Sequence, residues 1–140
     1  GSVWVASMNI DRVFRIDPKA HAAVARIDIC DRPLDVAALN GFIWAGCGDD
    51  GIIAKIDPVS DSVIAQYRTG GSPFYVAAGD NELWISNDTH PSVSRFDIGS
   101  GEVTANMFLG TVPANLCTSP GHAWVTEFSS GTLFRIVDNQ

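Results

Sequence analysis

The amino-acid sequence predicts an all-β fold built from a repeated four-stranded antiparallel unit, and three observations carry that prediction. Trp4, Trp44, Trp84 and Trp124 recur at a fixed step of 40 residues, a spacing that marks a repeat architecture. The chain between them divides into short runs rich in Val, Ile, Trp, Phe and Tyr, each bounded by Gly, Pro, Asn or Asp, the punctuation of strands. No run reaches the roughly 10 residues of periodic apolar pattern that a useful helix needs.

The elements follow from the period. The same step superposes Pro33, Pro73 and Pro113, then Asp17, Asp57 and Asp97, then Arg15, Lys55, Arg95 and Arg135, with no insertion. Apolar positions keep the phase as well: Val3, Ile43 and Leu83; Ile16, Ile56, Phe96 and Ile136; Val36, Val76 and Leu116. Within a unit, GFIWAG (41–46), GIIAKID (51–57), DSVIAQYR (61–68) and PFYVAAG (73–79) read as strands. Four strands of about 5 to 6 residues and four connections of about 4 fill the period. Asp57-Pro58 opens one connection and Gly101 closes the equivalent one, both turn chemistry that joins antiparallel strands. FIWA and FYVAA are apolar on both faces, so their strands are buried twice, as in sheets stacked face to face. A repeated four-stranded meander of this size is the blade of a β-propeller.

The 140 residues hold three and a half periods. The predicted division is a partial blade at 1–32, blades at 33–72 and 73–112, and a second partial blade at 113–140. Such a chain is part of a larger ring of about six to eight blades.

VWVASMNIDRVFRIDP (3–18) and LWISNDTHPSVSRFDIGSGEV (83–103) resemble the unit of the YVTN-type and streptogramin-lyase-like propellers. In those proteins a Trp-bearing strand, a variable loop and a strand ending in Arg-Ile-Asp-Pro follow one another. AWVTEFSSGTLFRI (123–136) is similar to the matching stretch of the virginiamycin B lyases. The resemblance spans essentially the whole chain and is specific for fold more than for activity. It implies that the Pro-led strand (33–39, 73–79, 113–119) lies innermost at the channel, the Trp strand second and the Arg-Ile-Asp strand third. The outermost is then 22–29, 62–68 or 102–108.

On this register the chain starts at a second strand and ends at a third, so a ring cannot close on these residues alone. Two copies supply 28 strands, the number in seven blades, but at each junction a third strand would be followed by a second. The phase therefore favours completion by remaining blades of a longer chain, or by a different partner chain, over a homodimer.

The resemblance also implies where chemistry gathers: the mouth formed by the loop after each Trp strand and the loop entering each inner strand. Asp35, Tyr75 and Asn115 occupy one repeat position and differ while their frames stay fixed, which is where a binding surface is built. Asn87 and Asp88 stand in the same mouth. These five are the candidate ligand-binding residues. Glu127 matches the family's Trp-x-Thr-Glu pattern, and with His90 it forms a candidate catalytic pair, since proton abstraction beside a carbonyl needs a base and a polarising group. The lyases open a lactone by elimination with His, Glu and bound magnesium, so Mg2+ is expected only under that reading. Ser129 and Ser130 stand where an ionisable partner is expected.

Other classes recede. Lys+Arg is 9 against Asp+Glu 16, a formal charge of -7 that disfavours a nucleic-acid partner. No stretch approaches the roughly 18 apolar residues of a membrane span, and the opening residues show no leader pattern. With 46% hydrophobic and 18% charged residues the chain is expected to fold. Asp49 and Asp50 read as turn formers, not as metal ligands, and no metal site or cofactor motif is evident. Cys30, Cys47 and Cys117 are odd in number, share no repeat position and leave the compartment open. His21 and His122 are expected on the surface, the latter in a connection at the opposite mouth, and the tryptophans are expected to pack between blades.

Two functions remain. The first is a binding propeller whose variable mouth loops hold a small molecule, peptide or protein. The second is a streptogramin-lyase-like enzyme in which Glu127 works with a histidine across the mouth.

Overall fold

In the computed structural model, which describes residues 1–137, the chain is all-β: a partial β-propeller of antiparallel strands in four sheets, with no helix among the described residues. The first sheet holds β1 (Val3–Ser7), β2 (Arg12–Asp17) and β3 (Ala22–Asp28). The second holds β4 (Pro33–Leu39), β5 (Phe42–Cys47), β6 (Ile52–Asp57) and β7 (Ser62–Arg68). The third holds β8 (Pro73–Ala78), β9 (Glu82–Asn87), β10 (Ser92–Asp97) and β11 (Glu102–Phe108). The fourth holds β12 (Pro113–Ser119), β13 (His122–Glu127) and β14 (Leu133–Val137). Strand order within each sheet follows the chain, and the Pro-led strands β4, β8 and β12 lie side by side across neighbouring sheets.

Apolar side chains from facing sheets make the core, one layer per junction. Val13, Ile27, Ile43, Ala45 and Ile56 fill the first junction. Trp44, Ile53, Val76, Leu83, Ile85 and Phe96 fill the second, and Trp84, Val93, Leu116, Ala123 and Val125 the third. Trp44 is fully buried and touches Tyr67 and Phe96 at centroid distances of 6.0 and 6.1 Å. Burial at about 25 cal/mol per Å2 of apolar surface makes these layers the main source of stability.

The repeated charged positions have local reasons. Arg15, Lys55, Arg95 and Arg135 pair directly across the ladder with Trp4, Trp44, Trp84 and Trp124. Their cations stand 5.8, 5.2, 5.9 and 5.9 Å from those rings, within cation–π range. Arg15 also donates to the Pro58 carbonyl at 2.7 Å and to Asp61 at 3.0 Å, tying the first sheet to the second. Asp17, Asp57 and Asp97 each fold the following turn by accepting a backbone N–H, from Lys19, Val59 and Ser100.

Candidate functional site

At one mouth, every loop that carries the chain from one sheet to the next is bracketed by two backbone hydrogen bonds. Ile29, Thr69 and Leu109 donate back to the preceding sheet at Asp11, Gly51 and Pro91. Gly48, Asp88 and Phe128 donate to the carbonyls of Arg32, Ser72 and Val112 in the loops that lead into their own sheets. The repeat thus fixes three crossing loops in one geometry and leaves their side chains free to differ.

Ser7, Cys47, Asn87 and Glu127 end β1, β5, β9 and β13 one period apart, inside the strands. The last three are buried, and each fastens its mouth by different chemistry. Cys47 forms a disulfide with Cys30 of the crossing loop, their Cα atoms 5.9 Å apart. Asn87 donates its amide to Ser92 at 3.2 Å and Ser94 at 2.8 Å, while its carbonyl oxygen is turned toward Gly71 without a hydrogen-bond donor. Glu127 accepts from Thr111 Oγ1 at 2.6 Å, from Ser129 N at 3.1 Å and Oγ at 3.0 Å, and from Ser130 N. Hydrogen bonds from Ser130 and Thr111, with the backbone N–H groups behind them, hold its carboxyl far below the usual range.

Arg32 spans two blades at this mouth. Its guanidinium reaches Asp49 at 2.8 Å and Asp88 at 3.3 Å, while its backbone N–H donates to Asp11 at 3.0 Å and that of Asp31 to Asp50 at 2.9 Å. A Cβ on Gly48 would stand 2.7 Å from Arg32 Nη2, so glycine there lets the side chain lie flat across the sheet end. Arg32, Asp49, Asp50, Gly71, Ser72 and Asp88 line a cleft of about 530 Å3. A second cleft, about 210 Å3, adjoins it across Gly71 and brings Asn87 and His90 together with Phe108. Arg32 is already paired with Asp49 and Asp88, and Asp50 accepts the Asp31 N–H, which makes the surface preorganised.

The remaining candidates take separate places. Asp35 accepts from Val36 N at 2.9 Å and Val76 N at 3.0 Å, tying β4 to β8, and burial pushes its carboxyl above the usual range against the pull of those two N–H groups. Asn115 holds Leu116 N at 2.8 Å in the same local way. Tyr75 packs edge-on against Phe74 at 4.7 Å, and Phe74 against the exposed Phe128 at 6.0 Å, forming an aromatic patch beside Glu127. No hydrogen bond or ion pair joins His90 to Glu127 among the described residues, and His90 lies at the neighbouring blade's mouth. His122, expected in a connection, is the first residue of β13 and half-buried, because the turn before it is only two residues long. Sequence reasoning singled out neither Arg32 nor the Cys30–Cys47 bridge. The signal for the bridge was the crossover, since residue 30 enters the blade whose second strand ends at 47.

No family model and no curated protein matches the chain. Solved structures do. A streptogramin B lyase superposes with a TM-score of 0.77 at 18% identity, covering 98% of this chain and 51% of that one. The hydrazine synthase of Kuenenia stuttgartiensis gives 0.85 at 11% identity over 97% and 42%, and BamB from Moraxella catarrhalis 0.72 at 14% over 99% and 44%. The chain spans about half the length of these proteins or less. At such identities the likeness shows the fold, a β-propeller in part, and carries no activity. Among the described residues no helix is long and apolar enough to cross a membrane.

Proposed function

We propose that the chain is the recognition portion of a binding propeller, which takes a small polar molecule or a peptide end at the mouth built by Arg32, Asp88, Asn87 and His90. The observation that carries this reading is the fastening of the Arg32 loop. Backbone bonds, the Cys30–Cys47 bridge and the Asp11, Asp49, Asp50 and Asp88 carboxylates hold it from both neighbouring blades. A polar cleft organised before its ligand arrives binds without a large ordering cost. The other blades of the ring, on the same longer chain or on a partner, complete the mouth. The disulfide supports an oxidising compartment as the working place.

The lyase-like reading rests on the resemblance of 123–136 and on the superposition with a streptogramin B lyase. It asks Glu127 to accept a proton and, with His90 or a histidine from another blade, to work beside Mg2+. Glu127 is poorly suited to either task, because its oxygens already accept from Thr111, Ser129 and Ser130. Among the described residues no three His, Cys, Asp or Glu side chains gather as a metal-holding group.

A fragment screen by 1H–15N NMR, paired with a ring-opening assay on a cyclic depsipeptide, tests both. The binding reading expects hits that shift Arg32, Asp88 and His90 and no turnover. Turnover that Glu127→Gln abolishes would establish the lyase and overturn the binding reading.

A further inference from the structure

We infer that the opposite mouth carries a separate site for a small organic ammonium ion, in the cleft between the third and fourth sheets. The repeat supplies an internal control. One junction earlier, between the second and third sheets, the equivalent space is closed: Leu39 and Phe42 pack onto the junction core, Lys55 Nζ lies 3.8 Å from the Phe42 ring centroid, and Asn40 Nδ2 donates to Asn81 Oδ1 at 3.1 Å across the gap. One period on, Gly79 stands in place of Leu39, Glu82 in place of Phe42, and the Asn40 and Asn81 bridge becomes Asp80 facing Gly121. These replacements remove the plug and the latch together. The result is a cleft of about 390 Å3, with Trp84, Thr118 and His122 completing its walls.

The chemistry of the walls selects the ligand. Two side-chain donors are spent inside the protein, Trp84 Nε1 on Glu82 Oε1 at 2.9 Å and Thr118 Oγ1 on the Ala78 carbonyl, and the Ser119 hydroxyl accepts from Trp124 Nε1 at 3.4 Å. His122 Nδ1 lies 2.9 Å from the Pro120 carbonyl. A carbonyl only accepts, so the neutral ring carries its proton on Nδ1 and turns the Nε2 lone pair outward. Pro120 brings no N–H. Glu82 is balanced by Arg95, whereas the Asp80 carboxylate has no ion-pair or hydrogen-bond partner among the described residues. Apart from the Ser119 hydroxyl the cleft presents acceptors and one uncompensated negative charge, which attract a primary ammonium with three N–H donors and repel a carboxylate or phosphate. A short alkyl chain on that ammonium fits the space that Leu39 fills one junction earlier.

The test is an NMR titration of this chain with n-butylammonium, with glucose and inorganic phosphate as comparisons. Saturable shifts at Gly79, Gly121 and His122 are expected with the amine alone. Asp80→Asn, an exposed change, is expected to weaken binding about tenfold, the size of one lost charge-assisted hydrogen bond. Gly79→Leu refills the cleft as Leu39 does and is expected to abolish the shifts; because its Cβ meets Glu82 Cγ at 2.9 Å and the Glu82 carbonyl at 3.4 Å, its fold is checked by thermal unfolding, and Asp80→Asn carries the test if it does not fold. The inference is overturned by no shift up to about 50 mM amine, by equal shifts in Asp80→Asn, or by glucose or phosphate shifting the same residues instead.

Discussion

Two of the candidate carboxylates, Glu127 and Asp35, are perturbed in opposite directions, and single-residue experiments separate them. Glu127 is held ionised by its donors, so its folded-state pKa is depressed and its contribution is present above the ordinary value of 4.5 and lost as pH falls below it. Glu127→Gln is therefore expected to lower the melting temperature at neutral pH. The gap should narrow as pH falls below 4.5 toward the lower folded-state value, which thermal unfolding at about pH 7 and pH 3 measures. Asp35 is raised by burial, so its contribution is greatest at low pH and falls as pH rises through its folded-state value. Asp35→Asn keeps an acceptor for Val36 N, as Asn115 does for Leu116 N, but strands Val76 N–H. We expect a loss of about 1 kcal/mol in urea unfolding, larger at about pH 4 than at pH 7. At this scale the sequence marks the positions and hides the roles. A carboxylate in a Trp-x-Thr-Glu frame looks like a base until Thr111, Ser129 and Ser130 are seen to consume its oxygens, and those contacts depend on how the chain turns back on itself.

At the scale of elements the reading from sequence is nearly complete, because each strand is specified twice, by its own composition and by its copies 40 residues away. Cross-strand pairing of Trp44 with Lys55 and the Asp57 turn are local consequences of that pattern. The crossing loops are less legible. Their backbone brackets repeat but carry no side-chain signature, and the blade-specific ties at Cys47, Asn87 and Glu127 differ in chemistry. The Cys30–Cys47 bridge closes 17 residues between the crossing loop and the end of β5. Its loss in Cys30→Ser is expected to cost about 3 kcal/mol by the loop-closure model. It should also release Arg32, so amide exchange at Asp31 and Arg32 should rise more than at β6, and uniform acceleration would show that the bridge stabilises the whole sheet.

Among the described residues the first and fourth sheets hold three strands each, where the second and third hold four, and each turns one face away from any neighbouring sheet. β1 lacks the inner strand that β4 supplies to β5, and β14 lacks the outer strand that β7 supplies to β6. Around them Val3, Val5, Leu133 and Val137 are exposed, together with Cys117, while the counterparts of Val3 and Val5 (Ile43, Leu83, Ile85) and of Leu133 (Ile53, Val93) are buried between sheets. The two open faces match as Trp44 and its neighbours match Leu83, Ile85 and Phe96 within the chain. The strand phase, however, gives no copy both missing strands. Edge strands with open backbone groups and apolar faces associate without a fixed stoichiometry. Light scattering behind size exclusion is therefore expected to show mass rising continuously with concentration. A version extended by further blades should run as a monomer at every concentration. A stable, concentration-independent dimer of the present chain would mean that two partial rings close on each other, and the mouth at Arg32 would then be completed by its own repeat.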